Sequence, residues 1–170
     1  MKVASFTIDH DRLLRGIYVS RKDSVGNETV TTFDVRIKRP NIEPPVDIPA
    51  IHTLEHLLAV YLRSDESGWA DKVIYVGPMG CRTGMYLIFK GDLSSKDVAD
   101  VITKSFEYVR DFEGIVPATT SKECGNYLDH NLTIAKWESK KFLDEVLYWK
   151  MKTLFIHNKE ISEKIDYLLG

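Results

Sequence analysis

Residues 50–64 read Ala-Ile-His-Thr-Leu-Glu-His-Leu-Leu-Ala-Val-Tyr-Leu-Arg-Ser and contain neither glycine nor proline. Apolar side chains recur in this stretch at the spacing that puts them on one helix face: Leu54, Leu57, Leu58 and Tyr61. The stretch therefore predicts a helix over Ala50–Ser64 that buries this face. The preceding run, Arg39–Pro49, carries four of the six prolines and is predicted to be irregular, because proline lacks an amide hydrogen.

Short segments elsewhere alternate or are rich in β-branched residues, which is typical of strands. They lie at Val3–Ile8, Gly16–Ser20, Val30–Ile37, Val73–Val76 and Met85–Phe89. Further helices are predicted from Ser94 to about Phe112, over roughly Leu132–Phe155, and over Lys159–Leu169. Strands precede and separate the helices without strict alternation, which favours an α+β fold with a largely antiparallel sheet.

Length and charge limit the kind of protein. The chain has 170 residues, which suits one domain over 1–170. Its formal net charge is −2, and no run of lysine or arginine offers a surface for nucleic acid. No apolar stretch approaches the length of a membrane span, and the first residues have no apolar signal core. We therefore expect a cytoplasmic protein that binds neither nucleic acid nor membrane.

The predicted helix carries a candidate metal site. His52 and His56 are four residues apart, so both imidazoles leave one helix face and could bind the same cation. Glu55, next to His56, could act as an acid or base on an oxygen at the metal. The alternatives are a chance pair of histidines on an exposed helix and a solvated glutamate.

A catalytic metal needs a third protein ligand and an open position. Cys124 is the natural third ligand, because its thiolate suits zinc or ferrous iron; the alternative is a buried structural thiol. His130 is a weaker candidate, either as a ligand or as a partner behind the ligands. His157 lies in a polar segment and is predicted to be a surface residue.

The other cysteine, Cys81, follows Gly80 and precedes Arg82-Thr83-Gly84. Such a loop can expose a thiol, and either Arg36 or Arg82 could favour its thiolate by charge. The thiolate could then act as a base or a nucleophile. The alternative is a turn cysteine of no consequence. Two cysteines in an expected reducing compartment do not suggest a disulfide framework.

Several pieces of the chain form one ordered pattern from about residue 3 to 140. They are Ser5-Phe6 to Asp9-His10, Phe33 to Arg36 with Pro40-Asn41, Ile51 to Ala59, Gly77-Pro-Met-Gly-Cys-Arg-Thr-Gly84, Ile115 to Ala118, and Cys124-Gly125 with His130, Leu132, Ala135 and Lys136. Together they resemble the S-ribosylhomocysteine lyase (LuxS) family. The histidine helix and the Pro-Met-Gly-Cys segment are the specific parts of this resemblance.

The resemblance implies a role for each candidate residue. The metal ligands would be His52, His56 and Cys124. The acid/base residues would be Glu55 and Cys81. The substrate pocket would involve Ser5, His10 and Arg36. Ferrous iron is the implied ion, with zinc or cobalt able to substitute, and the implied assembly is a homodimer with active sites at the interface.

The implied reaction cleaves S-ribosylhomocysteine. The sugar carbonyl migrates twice, and β-elimination of the thioether releases homocysteine and 4,5-dihydroxy-2,3-pentanedione, the precursor of a quorum-sensing autoinducer. The candidate residues suit this chemistry, because a cation stabilises negative charge on sugar oxygens and two bases move protons. No organic cofactor is required.

The chain departs from the family pattern at a few positions. It has Tyr75-Val76-Gly77 where Asp-Ile-Ser is usual, Met85 where an aromatic is common, and Lys38 in place of a frequent cysteine. Residues from about 141 to 170 form a divergent, helical C-terminal extension. The changes near the catalytic loop concern pocket shape and rate more than reaction type.

Two other functions stay open from the sequence. His-x-x-Glu-His is also the inverted signature of zinc metallopeptidases, although that function leaves Cys81 and Cys124 unexplained. A non-catalytic relative that binds metal and a sugar-thioether ligand is the other, supported only by the changes at Tyr75, Gly77 and Met85.

Overall fold

The computed structural model describes residues 8–149, which form a four-stranded sheet and three α-helices. The strands are β1 (Gly16–Val25), β2 (Glu28–Arg36), β3 (Val73–Pro78) and β4 (Gly84–Lys90). The helices are α1 (Ile48–Leu62), α2 (Ser95–Asp111) and α3 (Leu132–Phe142). All strand pairs are antiparallel, in the order β1-β2-β4-β3. The predicted α+β fold with an antiparallel sheet is confirmed for the described residues.

One face of the sheet is apolar and belongs to the main core. Phe33 and Val35 of β2 are fully buried and pair with Leu87 and Met85 of β4. The same core contains the helix residues Leu54, Leu57, Leu58, Val98, Ile102, Phe106 and Phe142. Full burial of each such side chain contributes about 1.5–3 kcal/mol. The core therefore fixes α1, which carries the candidate histidines, against the sheet.

The other face of β2 is polar and also buried. Asp34 and Arg36 are only 2% and 1% exposed, and alternation along the strand puts both on the face opposite Phe33. Arg36 pairs with Gly16 of β1 on one side and Gly84 of β4 on the other. Two neighbours without side chains leave room for the large guanidinium group inside the sheet.

The first turns of α1 and α3 are tied together. The Thr53 hydroxyl donates to the Pro49 carbonyl at 2.9 Å and accepts from the Asn131 amide at 3.0 Å. The Asn131 side chain in turn caps α3 by accepting from the Ile134 amide at 3.0 Å. This contact places His130, the residue before the cap, beside the histidines of α1.

Several predicted boundaries differ from the structure. Helix α1 begins at Ile48 rather than Ala50, because proline is tolerated in a first helical turn. Strand β1 continues to Val25 instead of ending at Ser20, since a turn at Gly26, with φ of 62°, closes a hairpin with β2. Helix α3 ends at Phe142 and continues directly into a π-helical turn at Leu143–Leu147, where the sequence predicts one helix from Leu132 to Phe155.

Some predicted elements lie outside residues 8–149. They are the first strand up to residue 7, the end of the helix predicted to reach Phe155, the helix Lys159–Leu169, and His157. Ile8 itself is in a bend. Among residues 8–149, no helix has the length and apolarity needed to cross a membrane.

Candidate metal and proton-transfer site

The two histidines of α1 are held by backbone carbonyls from the segment between α2 and α3. Nδ1 of His52 lies 2.9 Å from the Asp129 oxygen, and Nδ1 of His56 lies 2.8 Å from the Pro117 oxygen. A carbonyl oxygen only accepts hydrogen bonds, so a neutral ring donates from Nδ1 and keeps its lone pair on Nε2. Metal-binding histidines are commonly oriented in this way.

The same segment brings Cys124 to His52. The Cys124 Sγ lies 3.3 Å from His52 Nε2. Ligands on one tetrahedral zinc would be roughly 3.5 Å apart, given bonds of about 2.3 Å to sulfur and 2.0 Å to nitrogen. A turn closed by the Cys124 amide, which donates to the Thr120 oxygen at 3.0 Å, holds the cysteine in place. The three predicted ligands are thus close together.

His130 joins this group more closely than its sequence position indicates. Its ring stacks on His52 at a centroid distance of 4.1 Å, and its Nδ1 lies 3.2 Å from the Thr53 hydroxyl. Burial lowers the pKa of His130, and the nearby His52 and His56 lower it further, so the ring is neutral near pH 7. Its Nε2 is buried and has no hydrogen-bond partner among residues 8–149.

The donor atoms fit a transition-metal ion. Ligand atoms of four residues lie within 4.8 Å of one another: His52, His56, Cys124 and His130. Imidazole and thiolate donors suit zinc or iron, whereas magnesium and calcium prefer oxygen. The free Nε2 of His130 is a further sign of fit, because a buried polar atom without a partner is costly unless something binds it.

Glu55 and His52 open onto a cavity of about 560 Å³. Other residues that line it are Ile48, Ile51, Pro78, Met79, Gly80, Arg82, Asn126 and Asp129. A cavity of this size can hold a small polar molecule. We call it the metal-side cavity.

Cys81 lies in a tight turn before β4. The Arg82 amide donates to the Met79 oxygen at 2.8 Å, and Arg82 adopts a left-handed backbone with φ of 56°. That conformation costs a non-glycine residue about 1–2 kcal/mol. Val46 stabilises it, since its amide donates to the Arg82 oxygen at 2.9 Å and its own oxygen accepts from Arg82 Nη1 at 3.3 Å. The turn leaves Cys81 exposed.

Arg36 is the arginine beside Cys81. Its Nη1 lies 3.8 Å from Cys81 Sγ and donates to the Thr83 hydroxyl at 2.6 Å. Its other two nitrogens donate to the carboxylate of Asp34, at 3.1 and 2.5 Å. Arg82, the alternative from the sequence, is bound to the Val46 carbonyl instead.

These neighbours change the acidity of the thiol. Burial alone would raise the pKa of Cys81, but hydrogen bonds from the Thr83 hydroxyl and amide act against it, as does the charge of Arg36. Together they hold the pKa of the Cys81 thiol below its ordinary value. A larger fraction of the residue is therefore thiolate near neutral pH.

Cys81 lines a second cavity, of about 430 Å³, which we call the thiol-side cavity. Its other lining residues are His10, Pro40, Asn41, Ile42, Glu43, Pro44, Pro45 and Thr83. His10 is thus placed near Cys81, with its Nδ1 held by the Ile8 oxygen at 2.9 Å. Ser5, the other predicted pocket residue of the N-terminal segment, lies outside the described residues.

The two cavities have no lining residue in common. Glu55 lines the metal-side cavity and Cys81 lines the thiol-side cavity, and neither of these two cavities, as residues 8–149 form them, is lined by both residues.

Two residues near Cys81 were missed by the sequence analysis, Asp34 and Thr83. Each lies two positions from a residue that was singled out, Arg36 or Cys81. Residues two apart on a strand point to the same side, and this spacing was the available signal for Asp34. Thr83 meets the sulfur across a turn in which Arg82 is left-handed, so no periodic signal marked it.

The departures at Tyr75 and Gly77 bring these two residues close together. A Cβ added at Gly77 would lie 2.0 Å from the Tyr75 hydroxyl oxygen. The atoms it would meet are the outer end of a side chain that is 47% exposed, so rotation of the Tyr75 ring can make room for a side chain at position 77.

Comparisons with known proteins agree with this geometry. A family model described as S-Ribosylhomocysteinase (LuxS) matches residues 3–153. The S-ribosylhomocysteine lyase of Phocaeicola vulgatus is 58% identical over 93% of this chain and 98% of its own length. Lyases of the same name from Porphyromonas gingivalis and Borreliella burgdorferi are 53% and 54% identical, over 86% and 84% of this chain and 91% and 90% of their own lengths.

Proposed function

The chain belongs to the S-ribosylhomocysteinase (LuxS) family, and on this premise we propose that it is a metal-dependent lyase acting on S-ribosylhomocysteine. The products are homocysteine and 4,5-dihydroxy-2,3-pentanedione, the autoinducer precursor. The observation that carries this proposal is the cluster of histidine and cysteine ligand atoms within 4.8 Å, in a chain 58% identical to a protein named for this reaction.

The proposed metal ligands are His52, His56 and Cys124, with Fe²⁺ as the expected ion and zinc or cobalt as substitutes. When bound, the metal supplies Lewis-acid stabilisation of negative charge on the sugar oxygens. The chain orients the two rings through the carbonyls of Asp129 and Pro117. With these three residues as the ligands, and His130 behind them, a coordination position would remain open.

Cys81 and Glu55 are the proposed proton carriers. In each carbonyl migration a base takes a proton from the carbon beside the carbonyl, and a proton is returned to the former carbonyl carbon. The lowered pKa of Cys81 suits its thiolate to accept and return such a proton. Glu55, on the helix of the ligands, is suited to exchange protons with sugar oxygens.

The last step is elimination. A proton leaves the carbon next to the carbonyl, a carbon–carbon double bond forms, and the carbon–sulfur bond breaks. The electron pair of that bond departs with the homocysteine sulfur, which then takes a proton. One carbon of the new double bond carries a hydroxyl group, so the immediate product is an enol; it takes a proton at its terminal carbon and loses the hydroxyl proton to give the diketone. No oxidant or reductant is consumed.

We further propose a homodimer in which each active site is shared. Cys81 and Glu55 line separate cavities within one chain, yet both must reach one sugar. A two-fold axis that faces the thiol-side cavity of one protomer with the metal-side cavity of its partner satisfies this need. Ser5, His10 and Arg36 remain the proposed substrate-pocket residues. Of these, His10 lines the thiol-side cavity, Arg36 is 1% exposed and contacts Cys81 through Nη1, and Ser5 lies outside the described residues.

Three further predictions from the sequence belong with this proposal. The cytoplasmic location, the lack of nucleic-acid and membrane binding, and a divergent extension after about residue 140 stay predictions. The family model matches up to residue 153.

The alternative functions have weaker support. A metallopeptidase would need a carboxylate as the third ligand, whereas the cluster offers Cys124 and His130 beside the histidine pair. A non-catalytic relative would not need the acidic thiol of Cys81.

The reaction is tested by a thiol-release assay. Protein prepared without oxygen and loaded with Fe²⁺ is mixed with S-ribosylhomocysteine, and free homocysteine is measured with a thiol reagent. We expect one thiol for each substrate consumed. A metal-loaded sample that releases none would refute the lyase function, and peptide hydrolysis that survives Cys124→Ala would support a peptidase.

The shared site is tested by co-expression of two inactive variants under different tags. Cys81→Ala and His56→Ala damage opposite halves, so a mixed dimer keeps one intact site if sites are shared. Random mixing then gives roughly a quarter of wild-type activity. The control pair, His56→Ala with Cys124→Ala, damages the same half and should give none. Equal, negligible activity from both mixtures would show that each chain builds its own site.

A further inference from the structure

Thr83 lies beside Cys81, and its hydroxyl group has a hydrogen-bonding neighbour on each of two sides. It is 7% exposed, and its hydroxyl oxygen lies 2.6 Å from Arg36 Nη1 and 3.1 Å from Cys81 Sγ. Within the described part of the chain, the sulfur is thus one of two hydrogen-bond partners of this hydroxyl. Neither contact was anticipated from the sequence.

Arg36 determines the direction of its own contact with Thr83. A guanidinium group only donates hydrogen bonds, and Asp34 holds it in place by accepting from Nε and Nη2. Nη1 therefore donates to the Thr83 oxygen and occupies one of its two lone pairs. Either atom of the Thr83–Cys81 contact can donate while the sulfur is a thiol; a thiolate only accepts, so the Thr83 hydroxyl is the donor to the ionised sulfur.

We propose that Thr83 is a positioning residue for the proton carrier Cys81: its hydroxyl, polarised by Arg36, donates to Sγ and stabilises the thiolate. This inference rests on the proposed role of Cys81 in the reaction. The contacts run in series from Asp34 through Arg36 and Thr83 to the sulfur. Bonds in such a chain polarise one another, which strengthens the last one.

Other charged and titratable groups face the same sulfur. Arg36 contributes its positive charge from β2, Tyr86 from β4 is close enough to interact electrostatically, and His10 lines the same cavity. Asp34 lies behind Arg36 and is neutralised by it. Glu43 lines the thiol-side cavity as well. Thr83 differs from the charged groups Arg36, Asp34 and Glu43, because it can be replaced without changing the net charge around the thiol.

The experiment measures the ionisation of Cys81 directly. Full-length, metal-loaded protein is alkylated with iodoacetamide at a series of pH values, and modification of the Cys81 peptide is followed by mass spectrometry, which separates it from the Cys124 peptide. The midpoint of the rate against pH reports the thiol pKa. We expect Thr83→Val to raise this midpoint by about one to two pH units, the equivalent of one hydrogen bond to a charged group.

Matched variants separate this effect from a structural one. Thr83→Ser keeps the hydroxyl and should keep the wild-type midpoint, whereas Thr83→Ala should shift it as Thr83→Val does and replaces that variant if it folds poorly. Thr103 is equally buried at 7% and donates to the Ala99 oxygen at 2.7 Å, so Thr103→Val is a control that should shift nothing.

Two results would overturn the proposal. One is a wild-type midpoint in Thr83→Val and Thr83→Ala; the other is a shift in Thr103→Val as large as theirs. The readout needs no turnover, so it is independent of the thiol-release assay. A shift in Thr83→Val together with no homocysteine release would leave this inference standing and remove only the lyase function.

Discussion

Gly84 is the position where the fold and the candidate site depend on the same backbone contact. Gly84 is the first residue of β4 and follows Thr83 directly. It pairs with Arg36 of β2. A Cβ at Gly84 would lie 2.4 Å from the Val35 oxygen and 3.1 Å from the Arg36 Cα. Both atoms are backbone and cannot rotate away, so Gly84→Ala must push the strands apart.

The size of the effect follows from that overlap. Ordinary contact begins at 3.4 Å, so the Val35 oxygen must move by roughly 1 Å. Hydrogen bonds on either side resist this movement: the Ile37 and Lys38 amides donate to the Thr83 oxygen at 3.0 and 2.9 Å, and the Met79 amide donates to the Gly84 oxygen at 3.0 Å. Overpacking of this kind costs about 1–3 kcal/mol, which lowers Tm by roughly 2–12 °C in a chain of this length.

The assay is urea unfolding followed by tryptophan fluorescence at one fixed protein concentration. Gly80→Ala is the matched control, because a Cβ at Gly80 meets nothing within 4 Å. We expect that control to leave the free energy of unfolding unchanged or to raise it by up to about 1 kcal/mol. Equal stability of the two variants would refute the argument that the β2–β4 contact requires glycine.

Three further predictions concern stability and metal binding. The Lys38–Glu138 ion pair has an N–O distance of 2.6 Å, and both side chains are 6% exposed. Lys38→Met should therefore lower the unfolding free energy by about 3–5 kcal/mol, because it leaves a buried charge unpaired. Adding Glu138→Leu should recover most of this loss, and a double variant as unstable as the single one would contradict the prediction. His130→Phe keeps the packing against His52 but removes the nitrogens, and should weaken metal affinity by about 10–100-fold in competition with a chelator; unchanged affinity would exclude His130 from the cluster. Removal of the metal should lower the unfolding free energy, because a ligand that binds only the folded chain stabilises it. The loss should be about 4 kcal/mol relative to a sample in which the free metal concentration is 1,000 times Kd. An unchanged urea midpoint would indicate that the cluster binds no metal in the folded chain.

The helices were predictable because their signals are local. The leucine spacing fixed α1 to within two residues at each end, and the capping box at Ser94 fixed the start of α2. The far half of β1 was missed because its outward side chains are charged or polar, so alternation there is weak. The Gly26-Asn27 pair, which forms the turn between β1 and β2, is the sequence signal for the full length of β1.

The candidate site likewise has residues that local sequence spacing predicts and residues that it does not. His52 and His56 are neighbours on one helix, so spacing alone indicated their shared face. The place of His130 depends on the contact between Thr53 and Asn131, which joins distant parts of the chain and leaves no periodic signal. The choice of Arg36 over Arg82 beside Cys81 likewise depends on the β2–β4 register and on the Val46 contacts.

The central claim is that one cysteine binds the metal and the other moves protons. It is tested most directly by the metal content of two variants purified and loaded with Fe²⁺ without oxygen, Cys81→Ala and Cys124→Ala. We expect Cys81→Ala to retain about one metal per chain while releasing no homocysteine, and Cys124→Ala to lose the metal. Metal lost from Cys81→Ala and retained by Cys124→Ala would contradict the assignment and exchange the roles of the two residues.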